Sequence, residues 1–173
     1  MTEENLAWQG KFLSIRLEDS QYGVYEIMTA ASTYGVSVMA VHKDSVLLAK
    51  QYRPPVKAFL WEFPGGAADS LDNLPAEAAR ELHEEANVEV DSSELKLLLV
   101  THPMPSAVEC TGAAYFMKLP DSFDRGSSAP QESEIEEVAW VPIQDILADF
   151  KSRSMKYASV IERILLAKFL EYI

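Results

Sequence analysis

Four glutamates and an arginine crowd one short stretch of this 173-residue sequence: Glu77, Arg80, Glu81, Glu84 and Glu85. On a helix, carboxylates three or four residues apart are neighbours, and each like pair costs about 0.2–0.5 kcal/mol. The cluster is therefore mildly unfavourable unless a cation joins it. Oxygen-only donors select hard divalent ions. Mg²⁺ in particular takes one or two carboxylates, keeps several waters and completes its shell with substrate phosphates. Half of a metal-phosphate site is the chemistry these residues offer. A solvated acidic face is the other reading, because most charged runs on helices are surface.

The element that positions them reads as a helix from Pro75 to Ala86. Proline suits a first turn, and the residues that follow are nearly all good helix formers. Ala78, Leu82 and Ala86 share an apolar face while the glutamates fall on another. Just upstream, Gly65 and Gly66 permit a tight turn that side chains would block, bringing a backbone carbonyl toward the helix carboxylates. Alternating runs predict strands at 12–17 and 24–30, joined by a turn over 18–23 into a small antiparallel ribbon. They also predict a hairpin of 34–41 and 46–52, and strands at 95–100, 113–118 and 135–141. Residues 121–134, bearing Gly, Pro and Ser, read as a surface loop. A closing helix is predicted over 154–172 from an apolar stripe of Val160, Ile161, Ile164, Leu165 and Phe169, with Lys168 at its edge. Strands before and after one central helix, with another helix at the end, make an α/β sandwich. The ribbon is marginal alone and must pack on the main domain or on a second subunit.

The spacing around the acidic helix is specific. Five residues separate Gly66 from Asp72, seven separate Asp72 from Arg80, and Arg80-Glu81-Leu82-His83-Glu84-Glu85-Ala86-Asn87-Val88 follows. This closely resembles the signature of the Nudix hydrolases, with Asp72 where the family has Glu and Asn87 where it has glycine. Asn is next after glycine in accepting a left-handed helix end. Asp72 is one methylene shorter than the family's acid, which pairs with the signature arginine, here Arg80. The resemblance implies an α/β/α sandwich with a mixed sheet over residues 33–173, preceded by an antiparallel β extension over 1–32. It also implies that Glu81, Glu84, Glu85 and the Gly65 carbonyl hold Mg²⁺, with Mn²⁺ able to substitute, and that Glu84 and Arg80 belong to the catalytic set.

Residues outside this box narrow the expectation. Arg53, in Gln51-Tyr52-Arg53-Pro54-Pro55, ends a strand shortly before the glycine turn, where a guanidinium could grip a diphosphate bidentately or simply pair with a surface acid. A Gln-x-Arg segment at this place is similar to one in the ADP-ribose pyrophosphatase branch of the family, where it contributes substrate contacts. Glu62, just before Phe63-Pro64-Gly65-Gly66, resembles an acid of that branch that assists metal and substrate binding; otherwise it is a strand-end acid. The loop over 102–110, with Pro103, Pro105, Ser106 and Glu109, looks like a further mark of the branch, in which the glutamate is a candidate general base. Trp8 lies in the extension, whose aromatics stack on adenine in that branch, although tryptophans are more often core. There the extension commonly exchanges between two subunits, so a homodimer is implied. His42, His83 and His102 show no mutual metal spacing.

Composition sets outer limits. With 15 basic and 27 acidic residues the net charge is −12, which argues against sequence-independent binding to nucleic acid or anionic lipid. A polyphosphate would be repelled too, unless a metal and local arginines reverse the sign. No apolar run has the length of a membrane span. Cys110 is the single cysteine, and the first ten residues lack the order of a signal peptide, so a reducing, cytoplasmic setting is expected. The function expected is Mg²⁺-dependent hydrolysis of the diphosphate of a nucleoside diphosphate sugar, foremost ADP-ribose to AMP and ribose 5-phosphate. The alternatives are another such sugar, for example GDP-mannose, or a catalytically silent nucleotide-sugar sensor.

Overall fold

The computed structural model describes residues 5–68, 71–152, 156–157 and 159–173. Its strands are β1 (Leu6–Gln9), β2 (Leu13–Ser20), β3 (Gly23–His42), β4 (Ser45–Arg53), β5 (Ala58–Glu62), β6 (Ala67–Ala68), β7 (Lys96–Thr101), β8 (Val108–Lys118) and β9 (Ile135–Pro142). The helices are α1 (Leu74–Ala86), α2 (Ile143–Lys151) and α3 (Ile161–Phe169). All nine strands among the described residues join one mixed sheet. Its backbone is β3, antiparallel to β2, β4 and β6 and parallel to β8.

Side-chain alternation along the central strands splits the core into two layers. Val36, Val38 and Ala40 of β3, Leu47 of β4 and Tyr115 of β8 face Ala78, Leu82 and Ala86 of α1. Met39, Val41, Val46, Leu48 and Phe116 face the other way, onto Ile143 and Ile146 of α2 and Ile164 and Ala167 of α3. The result is the expected α/β/α sandwich with an antiparallel extension. The α1 stripe is buried as its periodicity predicts, and the full burial of Leu82 alone contributes about 2–3 kcal/mol.

Several expectations are corrected. The runs at 24–30 and 34–41 are one continuous 20-residue strand. The polar stretch between them reads as a break, but no Gly or Pro enforces one. Instead Ser32 Oγ accepts from the Tyr34 N–H at 3.2 Å and donates to the Ala68 carbonyl, where the β3–β8 register shifts between Thr29 and Tyr34. The expected point between 32 and 33 therefore falls inside β3. Correspondingly, β8 begins at Val108 rather than 113, because its first residues pair with the outer half of β3 (Met28 with Val108, Thr29 with Glu109). Glu109 thus sits in a strand rather than in a loop.

The closing helix is shorter than its stripe suggests. Residues 153–155 and 158 lie outside the described residues; the Trp61 N–H donates to the Lys156 carbonyl at 2.8 Å and Trp61 bridges to Tyr157, so Lys156 and Tyr157 are partners of β5. From Ile161 onward the buried face is Ile164 and Ala167, so Leu165 and Phe169, placed in the stripe, are exposed. Strands β1 and β6 and the helix α2 add to the expected elements, and β5 is the strand that Glu62 ends. Trp8 is 53% exposed, not core.

Candidate active site

Glu81 and Glu85 are buried, at 8% and 4% exposure, although both are acids on a helix. They lie one turn apart on the flank of α1 that meets the glycine turn. Gly65 donates its N–H to Glu85 Oε2 at 2.8 Å, and Gln51 on β4 donates Nε2 to Glu85 Oε1, also at 2.8 Å. Burial, foremost, pushes the Glu85 carboxyl up to about 7, with the charges of Glu81 and Glu132 adding to the rise. Burial likewise raises Glu81, against the pull of Arg80.

Two glycines make this seating possible. A Cβ at Gly65 would overlap the Val36 carbonyl, and a Cβ at Gly66 would stand 2.7 Å from the Glu81 carboxylate oxygens. The turn thus closes onto β3 on one side and leaves room at the carboxylate on the other.

Arg80 binds three glutamates of its own helix: Glu77 at 3.0 Å, Glu81 at 2.5 Å and Glu84 at 2.5 Å. Against the cost of its partial burial, they hold its guanidinium firmly protonated. Arg53 and Glu62 form a two-pronged ion pair across the β4–β5 hairpin, with contacts of 2.8 Å and 2.6 Å. Hydrogen bonding to Glu62 raises the Arg53 pKa, and Glu85 and Glu134 add to it, so the pair borders the α1 carboxylates.

Beside the glycine turn opens a cleft of about 270 Å³, lined by Ser37, Glu62, Gly65, Gly66, Cys110 and Arg163 among others. Glu109 and Trp8 are not among its lining residues. Glu109 accepts from Thr29 Oγ1 at 3.1 Å and pairs with Arg16 at 3.4 Å, both on the ribbon. The Trp8 ring folds back over Gly10. The structure therefore brings together Arg53, Glu62, Gly65, Arg80, Glu81, Glu84 and Glu85, and sets Glu109 and Trp8 on the extension side.

A NUDIX domain family model matches residues 31–162 of the chain. The chain belongs to the Nudix family. Over 122 residues, 68% of its length, it is 30% identical to the ADP-sugar pyrophosphatase of Mus musculus, covering 55% of that protein. Over 57 residues, 30% of its length, it is 37% identical to the ADP-ribose pyrophosphatase of Saccharomyces cerevisiae, covering 25% of it. The matched regions thus span about half or less of these curated relatives.

At Asn87 the Nudix signature of this chain keeps its geometry despite the departure. Asn87 ends α1 in the left-handed region, φ 54°, and donates its N–H to the His83 carbonyl, as a glycine would. Nudix enzymes generally use divalent metal cations, and the residues here fit one by donor chemistry. The Glu81 charge raises the proton affinity of Glu85, that of Glu84 raises Glu81, and the space that Gly66 leaves at Glu81 gives access to its oxygens. Among the described residues no three acidic, His or Cys side chains converge to hold an ion. Arg80 engages Glu81 and Glu84 alike, and burial beside the glycine turn sets Glu81 and Glu85 first among the protein's donors.

Glu132 and Arg163 are not read from the sequence, and Gln51, in the Gln-x-Arg segment expected to contact substrate, binds Glu85 instead. Gln51 carried a signal, because alternation along β4 puts it on the face of Arg53. Glu132, in the stretch taken as a plain surface loop, comes close enough for its charge to raise both Glu81 and Glu85. Arg163 reaches the cleft from α3, and nothing local to its sequence points there.

Proposed function

We propose that this protein hydrolyses the diphosphate linkage of a nucleoside diphosphate sugar, with ADP-ribose, giving AMP and ribose 5-phosphate, the foremost substrate. The observation that carries the reading is the seating of Glu81 and Glu85 against the Gly65–Gly66 turn, with the Arg53–Glu62 pair and an open cleft alongside. The names of the two relatives support the substrate class.

In this reading Glu81 and Glu85 hold Mg²⁺, Glu84 and the Gly65 carbonyl join the set, and Mn²⁺ can replace it. A divalent ion bound there supplies Lewis acidity toward the phosphoryl oxygens and toward a water. Arg80 holds Glu77, Glu81 and Glu84 in place and opposes the rise of Glu81. Arg53 turns from Glu62 toward the diphosphate, a geometry that guanidinium matches bidentately. A water oxygen bonds to one phosphorus, the anhydride oxygen leaves on the other, and a carboxylate takes the proton. Glu109 is one candidate for that proton. Glu132 is the second, favoured by its proximity to Glu81 and Glu85. Trp8, from the extension of a homodimer partner or of the same chain, stacks on the base. Residues 1–32 act as the extension and 33–173 as the catalytic domain of a cytoplasmic enzyme.

The test is phosphatase-coupled turnover of ADP-ribose, GDP-mannose and UDP-glucose, with Mg²⁺ and in EDTA. Mg²⁺-dependent turnover led by ADP-ribose is expected. Preference for another sugar would keep the mechanism and change the substrate. Tight binding without turnover of any would replace the enzyme by a nucleotide-sugar sensor.

A further inference from the structure

Arg163 stands apart from the other arginines near the site. It reaches the cleft from the first turn of α3, and its Nη1 donates to Ser37 Oγ at 2.7 Å. Its guanidinium lies over the Phe63 ring, 5.7 Å from the centroid. Arg53 and Arg80 are each ion-paired to carboxylates, whereas among the described residues Arg163 makes no ion pair. Glu62 lines the same cleft, but both of its oxygens are taken by Arg53. Glu162 and Glu62 reach Arg163 only as distant charges, and its burial outweighs them, lowering its pKa. A partly buried guanidinium whose polar contact is a neutral hydroxyl keeps most of its five donors for something else. On a chain of net charge −12, an acid could readily have been placed beside it.

The cleft supplies the geometry. The Gly65–Gly66 turn, whose Gly65 N–H reaches Glu85, lines the same cleft as Ser37 and Arg163, and Ser37 packs directly beside Gly65. A ligand held at the α1 carboxylates and extending past the turn arrives at a planar donor fork. Carboxylate and phosphate are the groups that match such a fork, and the reading of this site as a diphosphate hydrolase selects phosphate. We propose that Arg163, oriented by Ser37 and Phe63, is a substrate-binding residue that receives a phosphoryl oxygen of the diphosphate from the α3 side of the cleft. The proposal rests on the function proposed above and adds a second grip to that of Arg53.

Arg163→Gln, Arg163→Lys and Ser37→Ala are compared with the wild type in Mg²⁺-dependent ADP-ribose turnover and in calorimetric titration with ADP-ribose in EDTA. Arg163→Gln is expected to raise KM and the metal-free Kd by about tenfold or more while kcat changes less than about threefold, the pattern of lost ground-state binding. Arg163→Lys, which keeps charge without the fork, should fall between. Ser37→Ala, which frees the fork, should raise KM about two- to threefold. KM and metal-free Kd within twofold of wild type in Arg163→Gln would overturn the subsite while leaving the hydrolase reading intact. Should Arg163→Gln not fold, wild-type values in both Arg163→Lys and Ser37→Ala overturn it equally. If the wild type turns over no nucleotide sugar, the hydrolase reading fails. The subsite is then judged by metal-free titration with inorganic pyrophosphate, where weaker binding in Arg163→Gln supports it, and equal affinity or no binding to either protein defeats it.

Discussion

Gln51 Nε2 donates to Glu85 Oε1 across 2.8 Å in a contact sealed from solvent, tying strand β4 to the acidic helix. The other Glu85 oxygen is held by the Gly65 N–H. The carboxylate is thus aimed by two neutral donors, one of them a side chain that can be changed without touching the backbone. A hydrogen bond to a charged group contributes about 1.5–3 kcal/mol. Gln51→Leu should therefore lower kcat/KM by about ten- to a hundredfold and shift the Mg²⁺ dependence to higher concentration. An unchanged Mg²⁺ titration would show that Gln51 does not position Glu85.

The pH dependence of stability follows from the same carboxyl. Its pKa is raised from 4.5 to about 7 by burial first of all. Between these values the folded protein binds the proton and the unfolded chain does not, so metal-free stability falls as pH rises from about 4.5 to about 7. The linkage bounds this at about 3 kcal/mol. Denaturant melts in EDTA at pH 5 and pH 8 should show the loss, Glu85→Gln should lack it, and added Mg²⁺ should stabilise more at pH 8 than at pH 5. Equal slopes for wild type and Glu85→Gln would assign the effect elsewhere.

The two glycines of the turn should separate function from stability. At Gly66 an added methyl meets the end of a flexible side chain, Glu81, 2.7 Å away, which can move aside. At Gly65 it meets the backbone of Val36 and Ser37, which cannot. Gly66→Ala should fold with a near-normal melting temperature and lose about tenfold or more in kcat. Gly65→Ala should be destabilised by about 1–3 kcal/mol as an overpacked site. The reverse pattern in thermal melts would contradict the seating of Glu81.

The proton acceptor can be assigned by a pair of variants. Glu132 adds its charge to Glu81 and Glu85, whereas Glu109 is bound by Thr29 and Arg16 on the ribbon. Glu132→Gln is expected to lower kcat by about a hundredfold, in the range of general-base removal, and Glu109→Gln by less than about tenfold. A larger kcat loss in Glu109→Gln would return the role to Glu109.

What the sequence discloses here is what acts locally. The acidic helix is legible because Ala78, Leu82 and Ala86 keep a 3.6-residue period and Pro75 marks its start. Likewise, Asn87 at the helix end behaves as its chemistry predicts. By contrast, α2 follows β9 at Pro142 with no polar break, so its Ile143–Ile146–Leu147 spacing merges with the strand. The α3 stripe is misassigned because the segment before Ile161 is drawn to Trp61, a tertiary contact no window reveals. Glu132 and Arg163 escape notice for the same reason: each gains its role from residues far away in the chain, Arg163 from Ser37, 126 positions earlier.

Strand β3 has a mechanical consequence. Its outer half is zipped to the ribbon, Ser14 with Thr29 among other pairs, and its inner half carries Gly35 and Ser37 at the rim of the cleft. Both halves pair with β8, the outer one at Met28 and Thr29 and the inner one from Tyr34 to Val41, with a shift of register between them. A pull on the ribbon is therefore not absorbed by a loop. It travels along one strand to the place where Ser37 holds Arg163, so whatever grips the extension also has a hand on the cleft.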